Sequence, residues 1–185
     1  MQTVQYVNEI IEELERTAHQ LTDEEAEKLV NQIIEAKKVF VAGAGRSGLM
    51  AKSFAMRMMH MGVDSFVVGE TITPSLEKDD ILIVGSGSGE TKSLVSMAQK
   101  AKDIGASVAL ITIAPDSTIG RLADITIKIP AQVKSETSGE KVTIQPMGSL
   151  FEQSLLLFFD AVILRFMNKK GLDSQTMYGK HANLE

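Results

Sequence analysis

No cysteine occurs among the 185 residues, which excludes a disulfide scaffold, a thiolate metal site and a cysteine nucleophile. Aromatic stock is thin: no tryptophan, two tyrosines and three histidines, too little for the stacking platforms of a single-strand nucleic-acid binder. Charge of one sign is also scarce. Nineteen Lys and Arg against 24 Asp and Glu leave a formal charge of −5, so no global field draws in nucleic acid or an anionic membrane. Any anionic ligand has to be held locally. A long uninterrupted apolar run is missing too, since the most apolar segment, Leu150 to Met167, is broken by Glu152, Gln153, Asp160 and Arg165. That segment reads as a buried helix and not as a membrane span. The start of the chain carries Glu9, Glu12, Glu13 and Glu15 with no basic residues before an apolar stretch. No secretory signal is visible there, and a cytoplasmic location is the default expectation.

What is present is an ordinary globular balance, 44% hydrophobic and 23% charged, at the length of one domain. Val4, Val7, Ile10, Ile11, Leu14 and Ala18 recur at helical spacing. Thr22 with Glu25 has the pattern of a capping box before a second periodic run, Ala26 to Ile34. From Val39 onward, short β-branched runs alternate with helical ones. Strands are expected near Val39–Ala42, Val63–Val68, Ile81–Val84, Val108–Ile113 and Ile125–Ile129. Helices are expected at Ser47–Met61, Thr91–Asp103 with a stop at Gly105, Ser117–Ala123, and about Gly148–Asn168. Such alternation through short turns predicts an α/β fold, a parallel sheet covered on both faces, because parallel neighbours need right-handed crossovers. The expected organisation is one domain over 1–185: a helical segment 1–36, an α/β core 37–168 and a tail 169–185. Ala131 to Met147 is polar and reads as a mobile loop. In the last long helix the apolar residues from Leu150 to Leu164 cover more than one stripe. A subunit interface is expected there, with a helix sandwiched inside one subunit as the alternative.

Two glycine-rich turns follow predicted strands: Gly43-Ala-Gly45-Arg46-Ser47-Gly48 and Gly85-Ser86-Gly87-Ser88-Gly89-Glu90-Thr91. In open α/β sheets the ligand crevice lies at the carboxyl ends of the strands, and glycines there let backbone N–H groups approach an anion at a helix N-terminus. Ser86, Ser88 and Thr91 add neutral donors, which suits a phosphate. Gly43, Gly45 and Gly48 also fit the spacing of a dinucleotide fingerprint, with Glu70 near the position of its ribose-binding acid. Against that reading stand the hydroxyl-rich second turn and the lack of room for a substrate domain. A P-loop is excluded because no Gly-Lys-Ser/Thr follows Gly85 at the required spacing.

Val84-Gly-Ser-Gly-Ser-Gly-Glu-Thr91 and Gly43-Ala-Gly-Arg-Ser-Gly48 resemble the signature turns of the SIS (sugar isomerase) domain family, over roughly Val39 to Met167. The segments Met59-His60-Met-Gly62, Pro146-Met-Gly-Ser-Leu-Phe-Glu152 and His181-Ala-Asn-Leu-Glu185 are similar to family members that act on a 3-hexulose 6-phosphate. The resemblance implies a three-layer α/β/α sandwich with a five-stranded parallel sheet of flavodoxin-like type, working as a homo-oligomer, either a dimer or a tetramer. It implies interconversion of D-arabino-3-hexulose 6-phosphate and fructose 6-phosphate through a cis-enediol, the step after formaldehyde fixation in the ribulose monophosphate pathway. No cofactor and no metal is needed for that chemistry.

It further implies Glu152 as the base. This residue stands in the first turn of an apolar helix, where burial penalises the charged form and the helix terminus favours it. The plainer reading of Glu152 is an acid that complements the helix dipole. His60 is implied near the sugar, though a histidine at a helix C-terminus is equally a dipole partner. The expected substrate-binding set is Gly45, Arg46, Ser47, Ser86, Gly87, Ser88, Gly89, Glu90 and Thr91. Arg46 could instead pair with Asp64 or Glu70. His181 is a second candidate if the tail covers a neighbouring site, and His19 reads as solvent-facing. A phosphosugar sensor, which needs the turns but no base, is the alternative from another class.

Overall fold

A computed structural model describes residues 2–131, 143–181 and 183. Two helices open the chain, α1 (Thr3–Ala18) and α2 (Asp23–Glu35). The core then runs β1 (Val39–Gly43), α3 (Gly45–His60), β2 (Ser65–Val67), β3 (Ile81–Gly85), α4 (Lys92–Ile104), β4 (Ser107–Thr112), α5 (Thr118–Leu122) and β5 (Ile125–Lys128). The long α6 (Ser149–Lys170) and a short α7 (Ser174–Tyr178) complete it. Most of the polar segment expected as a loop, 132–142, lies outside the described residues, as do parts of the C-terminal tail.

All five strands are parallel, in the order β2-β1-β3-β4-β5. Each strand splits its apolar residues between two faces, as the strand period of two requires. Val39, Val41, Ile81, Ile83, Ala109 and Ile111 join the core under α2, α3 and α6. Phe40, Ala42, Leu82, Val84, Val108 and Leu110 join the core under α4 and α5. Three layers result, as expected. Helix α4 ends where expected, on Gly105 in the left-handed conformation (φ 87°).

One expectation is narrowed and one is corrected. The breadth of apolar surface on α6 is consumed largely within the chain, where Leu155, Phe158, Phe159, Val162, Ile163 and Phe166 are buried against the sheet and its neighbouring helices. Phe159 stacks on Phe54 of α3 with ring centroids 4.2 Å apart. The sandwiched-helix alternative therefore accounts for most of this surface, and Leu157 and Leu164 stay exposed. The capping box at α2 also differs. The Thr22 hydroxyl donates to the Glu25 carboxylate at 2.8 Å and makes no bond to the helix backbone. That partner holds the Glu25 carboxyl below its usual range.

Candidate active site

The register of β1 against β3 pairs Gly43 with Gly85. Both glycine turns therefore leave the sheet side by side at the point where the strand order reverses, between β1 and β3. That switch point is where doubly wound sheets of this strand order bind ligands. The glycines allow the approach that follows. A Cβ on Gly48 would lie 2.6 Å from the Gly43 carbonyl oxygen, so the first turn of α3 can sit directly on the end of β1 only without side chains. This close contact explains the Gly43…Gly48 spacing without a dinucleotide. Glu70, the acid of the dinucleotide reading, is paired instead with Lys52 at 2.6 Å.

A cavity of about 200 Å³ opens at this switch point. It is lined by Ala44 and Ser47 from the first turn, by Gly85 to Ser88 and Thr91 from the second, and by Gly148, Phe151 and Glu152 from α6. Ala44, Thr91 and Gly148 are the N-cap residues of α3, α4 and α6, and none makes a side-chain capping bond. Three helix N-termini without side-chain caps thus converge on one small space. Each carries the positive end of a helix dipole, so the space is built for negative charge without a buried cation.

The second turn is held from behind. The Gly87 carbonyl accepts from Ile113 N–H (3.1 Å) and from the Thr112 hydroxyl (3.0 Å), and the Gly89 carbonyl accepts from Ile119 N–H (3.2 Å). Ser86 Oγ accepts from Gly89 N–H at 3.2 Å and Ser88 Oγ from Glu90 N–H at 3.2 Å. Both hydroxyls keep their protons available to a ligand.

Glu152 reaches this cavity from the first turn of α6 and is buried, 5% exposed. Its Oε2 lies 3.0 Å from Arg46 Nε, and Arg46 Nη1 donates to Ser149 Oγ at 3.5 Å. Arg46 is expected on the substrate, with an ion pair to Asp64 or Glu70 as the alternative; the arginine pairs with neither acid and turns to the candidate base. It holds that carboxylate on the α3 side of the cavity.

Not every expected residue is brought together. Gly45, Arg46, Gly89 and Glu90 are outside the cavity wall. Glu90 turns to α5, where its carboxylate accepts from Thr118 N–H at 2.6 Å, and this bond holds the carboxyl below its usual range. His60 is the last residue of α3, so it stands about 24 Å of helix away from the turn at Ala44. There it is buried, stacks on His181 at 5.3 Å between ring centroids and lies 3.5 Å from Arg57 Nη1. Burial first, then the neighbouring His181 and Arg57, push its pKa down. Within one chain, His60 and Glu152 therefore do not share a site. His19 is exposed, as expected. Sequence reasoning missed the apolar wall of the cavity, Leu94, Ile113 and Phe151, and the third helix N-terminus at Gly148; the glycine just before the last helix was the available signal. Among the described residues no group of three His, Cys, Asp or Glu could hold a metal ion, and no helix is long and apolar enough to cross a membrane.

Known proteins share this architecture. A SIS domain family model matches residues 32–157. The chain is 57% identical to the 3-hexulose-6-phosphate isomerase of Bacillus subtilis (strain 168) over 185 residues, the whole of both chains. It is 41% identical over 174 residues to the 3-hexulose-6-phosphate isomerase of Mycobacterium gastri, covering 94% of this chain and 87% of that one. A crystal structure from Methanococcus jannaschii, from which a function as 3-hexulose-6-phosphate isomerase was inferred, matches with a TM-score of 0.82 at 37% identity, and all of both chains is covered. The glycine turns, the sheet order and these likenesses agree: the chain belongs to the SIS domain family.

Proposed function

We propose that this cavity isomerises D-arabino-3-hexulose 6-phosphate to fructose 6-phosphate, serving the consumption of fixed formaldehyde in the ribulose monophosphate pathway. The observation that carries the reading is the meeting of three uncapped helix N-termini with one buried carboxylate in a single cavity. A binding-only sensor requires the first feature and has no use for the second.

The chemistry follows from that arrangement. Ser47, Ser86, Ser88 and Thr91, with the amides around them, grip the phosphate dianion. The sugar then extends toward α6. Glu152 takes the proton from C2, the freed electron pair forms the C2–C3 double bond, and the C3 carbonyl oxygen gains a proton, which gives the cis-enediol. Collapse in the other direction releases the O2 proton, forms the C2 carbonyl and returns the proton from Glu152 to C3. One base on one face serves both transfers. Helix N-termini and Arg46 stand close to the charge that passes onto O2 and O3. His60 can join such a transfer only from a second copy of the chain, since its own cavity is at the other end of α3.

The test is NMR of 3-hexulose 6-phosphate incubated with the protein in D₂O. Fructose 6-phosphate with solvent deuterium on the carbon that received the proton is the expected product; no conversion overturns the reading.

The working form is a homo-oligomer, a dimer or a tetramer. Val4, Val7 and Ile11 form an exposed apolar stripe on α1, and Leu157 and Leu164 another on α6, a pattern that marks protein–protein surfaces. Light scattering on a sizing column is expected to return twice or four times the 20.1 kDa chain mass; a clean monomer at micromolar concentration excludes the oligomer.

A further inference from the structure

We infer that Glu13 of α1 is a positioning residue for the proposed isomerisation: its carboxylate pins the segment that carries the N-terminus of α6, and so fixes Glu152 in the cavity. This rests on the isomerase reading above.

Helix α1 lies before residue 32, where the family match begins, and most of it faces solvent. Its two buried residues are Glu13 and Thr17, one turn apart and both polar. Glu13 is 4% exposed. Its Oε1 accepts from Ile144 N–H at 2.6 Å, and its Oε2 accepts from the Thr143 hydroxyl at 2.6 Å and from Gln145 Nε2 at 2.9 Å. Thr17 donates its hydroxyl to the Glu13 carbonyl at 3.0 Å, with the Pro130 carbonyl 3.4 Å away. Glu13 thereby holds the described end of the connection that leads into α6, and Thr17 borders its other described end. Burial raises the pKa of Glu13, but the bonds from Thr143, Gln145 and Ile144 and the charge of Arg16 outweigh it, so the net shift is downward.

The position of this clasp gives it consequence. Gln145 is followed by Pro146, by Met147 and then by Gly148, the N-cap of α6 and part of the cavity wall. Among the described residues Met147 is the non-glycine residue with positive φ, 58°, a conformation that persists where the surroundings over-determine it. Glu13 supplies that constraint from one side and the helix itself from the other. Glu152 N–H bonds to the Gly148 carbonyl at 2.9 Å, so any slack at residues 143–147 passes directly into the first turn that carries the base. Three donors converge on one group, which must be an acceptor at both oxygens. A carboxylate satisfies all three, whereas an amide turns an N–H₂ toward at least one of them.

The hydroxyls proposed to grip the phosphate stand on the turns before α3 and α4, which Glu13 does not touch, and that separates the two functions in measurement. In Glu13→Gln, kcat is expected to fall at least ~10-fold, the effect of losing hydrogen bonds to a charged group. KM for 3-hexulose 6-phosphate is expected to stay within about two-fold, as for an interaction that serves the transition state alone. Hydrogen exchange at the Ile144 amide is expected to accelerate by a similar ~10-fold. Gln145→Met attacks the same clasp from the other side, and its effect combined with Glu13→Gln should be clearly less than additive.

Unchanged kcat in a folded Glu13→Gln protein overturns the inference, as does unchanged exchange at Ile144. A loss of kcat no greater than the loss of folded fraction also overturns it, because the role is then purely structural. If the wild-type protein converts no substrate, the isomerase reading falls and takes this one with it. If the wild type converts and the variants behave like it, only the role of Glu13 fails.

Discussion

Glu152→Gln is expected to lower turnover by at least ~10²-fold, a typical general-base contribution, while the fold and the affinity for fructose 6-phosphate persist. The substitution preserves shape and removes only the ability to take a proton from carbon. On the proposed reading phosphate affinity resides in the turns at Ser47 and at Ser86 to Thr91, which line the same cavity and which this change does not touch. kcat and kcat/KM should therefore fall together, the mark of an interaction made in the transition state. Losing the charge also removes the ion-pair partner of Arg46 and leaves it the Ser149 hydroxyl. That arginine is 57% exposed, so water takes over its solvation and the stability cost stays small. Steady-state kinetics with a thermal melt checks both parts, and turnover near wild type rejects Glu152 as the base.

Gly48→Ala is expected to lower the melting temperature by ~2–8 °C and to weaken phosphosugar binding at the same time. Two effects oppose. Alanine in a helix gains about 1 kcal/mol over glycine, but the new Cβ would sit 2.6 Å from the Gly43 oxygen and 3.0 Å from its carbonyl carbon. Both are backbone atoms at the end of a central strand and cannot swing aside. Overpacking of this kind costs about 1–3 kcal/mol, and relief requires α3 to back away from β1, carrying Ser47 with it. The clash wins. A melting temperature at or above wild type with unchanged KM would mean that the close approach of helix and strand is dispensable.

How much of this was legible in the chain depends on how local the cause is. The strands β1 and β3 are continuous apolar runs ended by glycine, and the rule of parallel crossovers then puts both turns at one edge of the sheet. The pairing of Gly43 with Gly85 follows. Long-range partners were not legible. For Arg46 the sequence offers Asp64 and Glu70 as alternative ion-pair partners to a substrate contact, whereas its acid is Glu152, from a helix at the far end of the chain. Glu13 read as one of several acids on an amphipathic helix; the three donors that bury it come from residues 143–145.

His60 stands differently. At 1.5 Å per residue the length of α3 separates its last residue from the turn at its start, so the place near the sugar that the family resemblance implies for it requires a second copy of the chain. The breadth of α6 was likewise legible as a pattern, while its explanation required knowing that α3 and the sheet both pack on it.

On the proposed reading helix N-termini grip the phosphate and so present C2 and C3 to one carboxylate. A crystal structure of the Glu152→Gln protein with fructose 6-phosphate tests it most directly. The phosphate is expected within hydrogen-bond distance of Ser47, Ser86, Ser88 and Thr91, with C2 and C3 facing the side chain at position 152. A phosphate bound away from those hydroxyls, or a sugar directed away from α6, would contradict it.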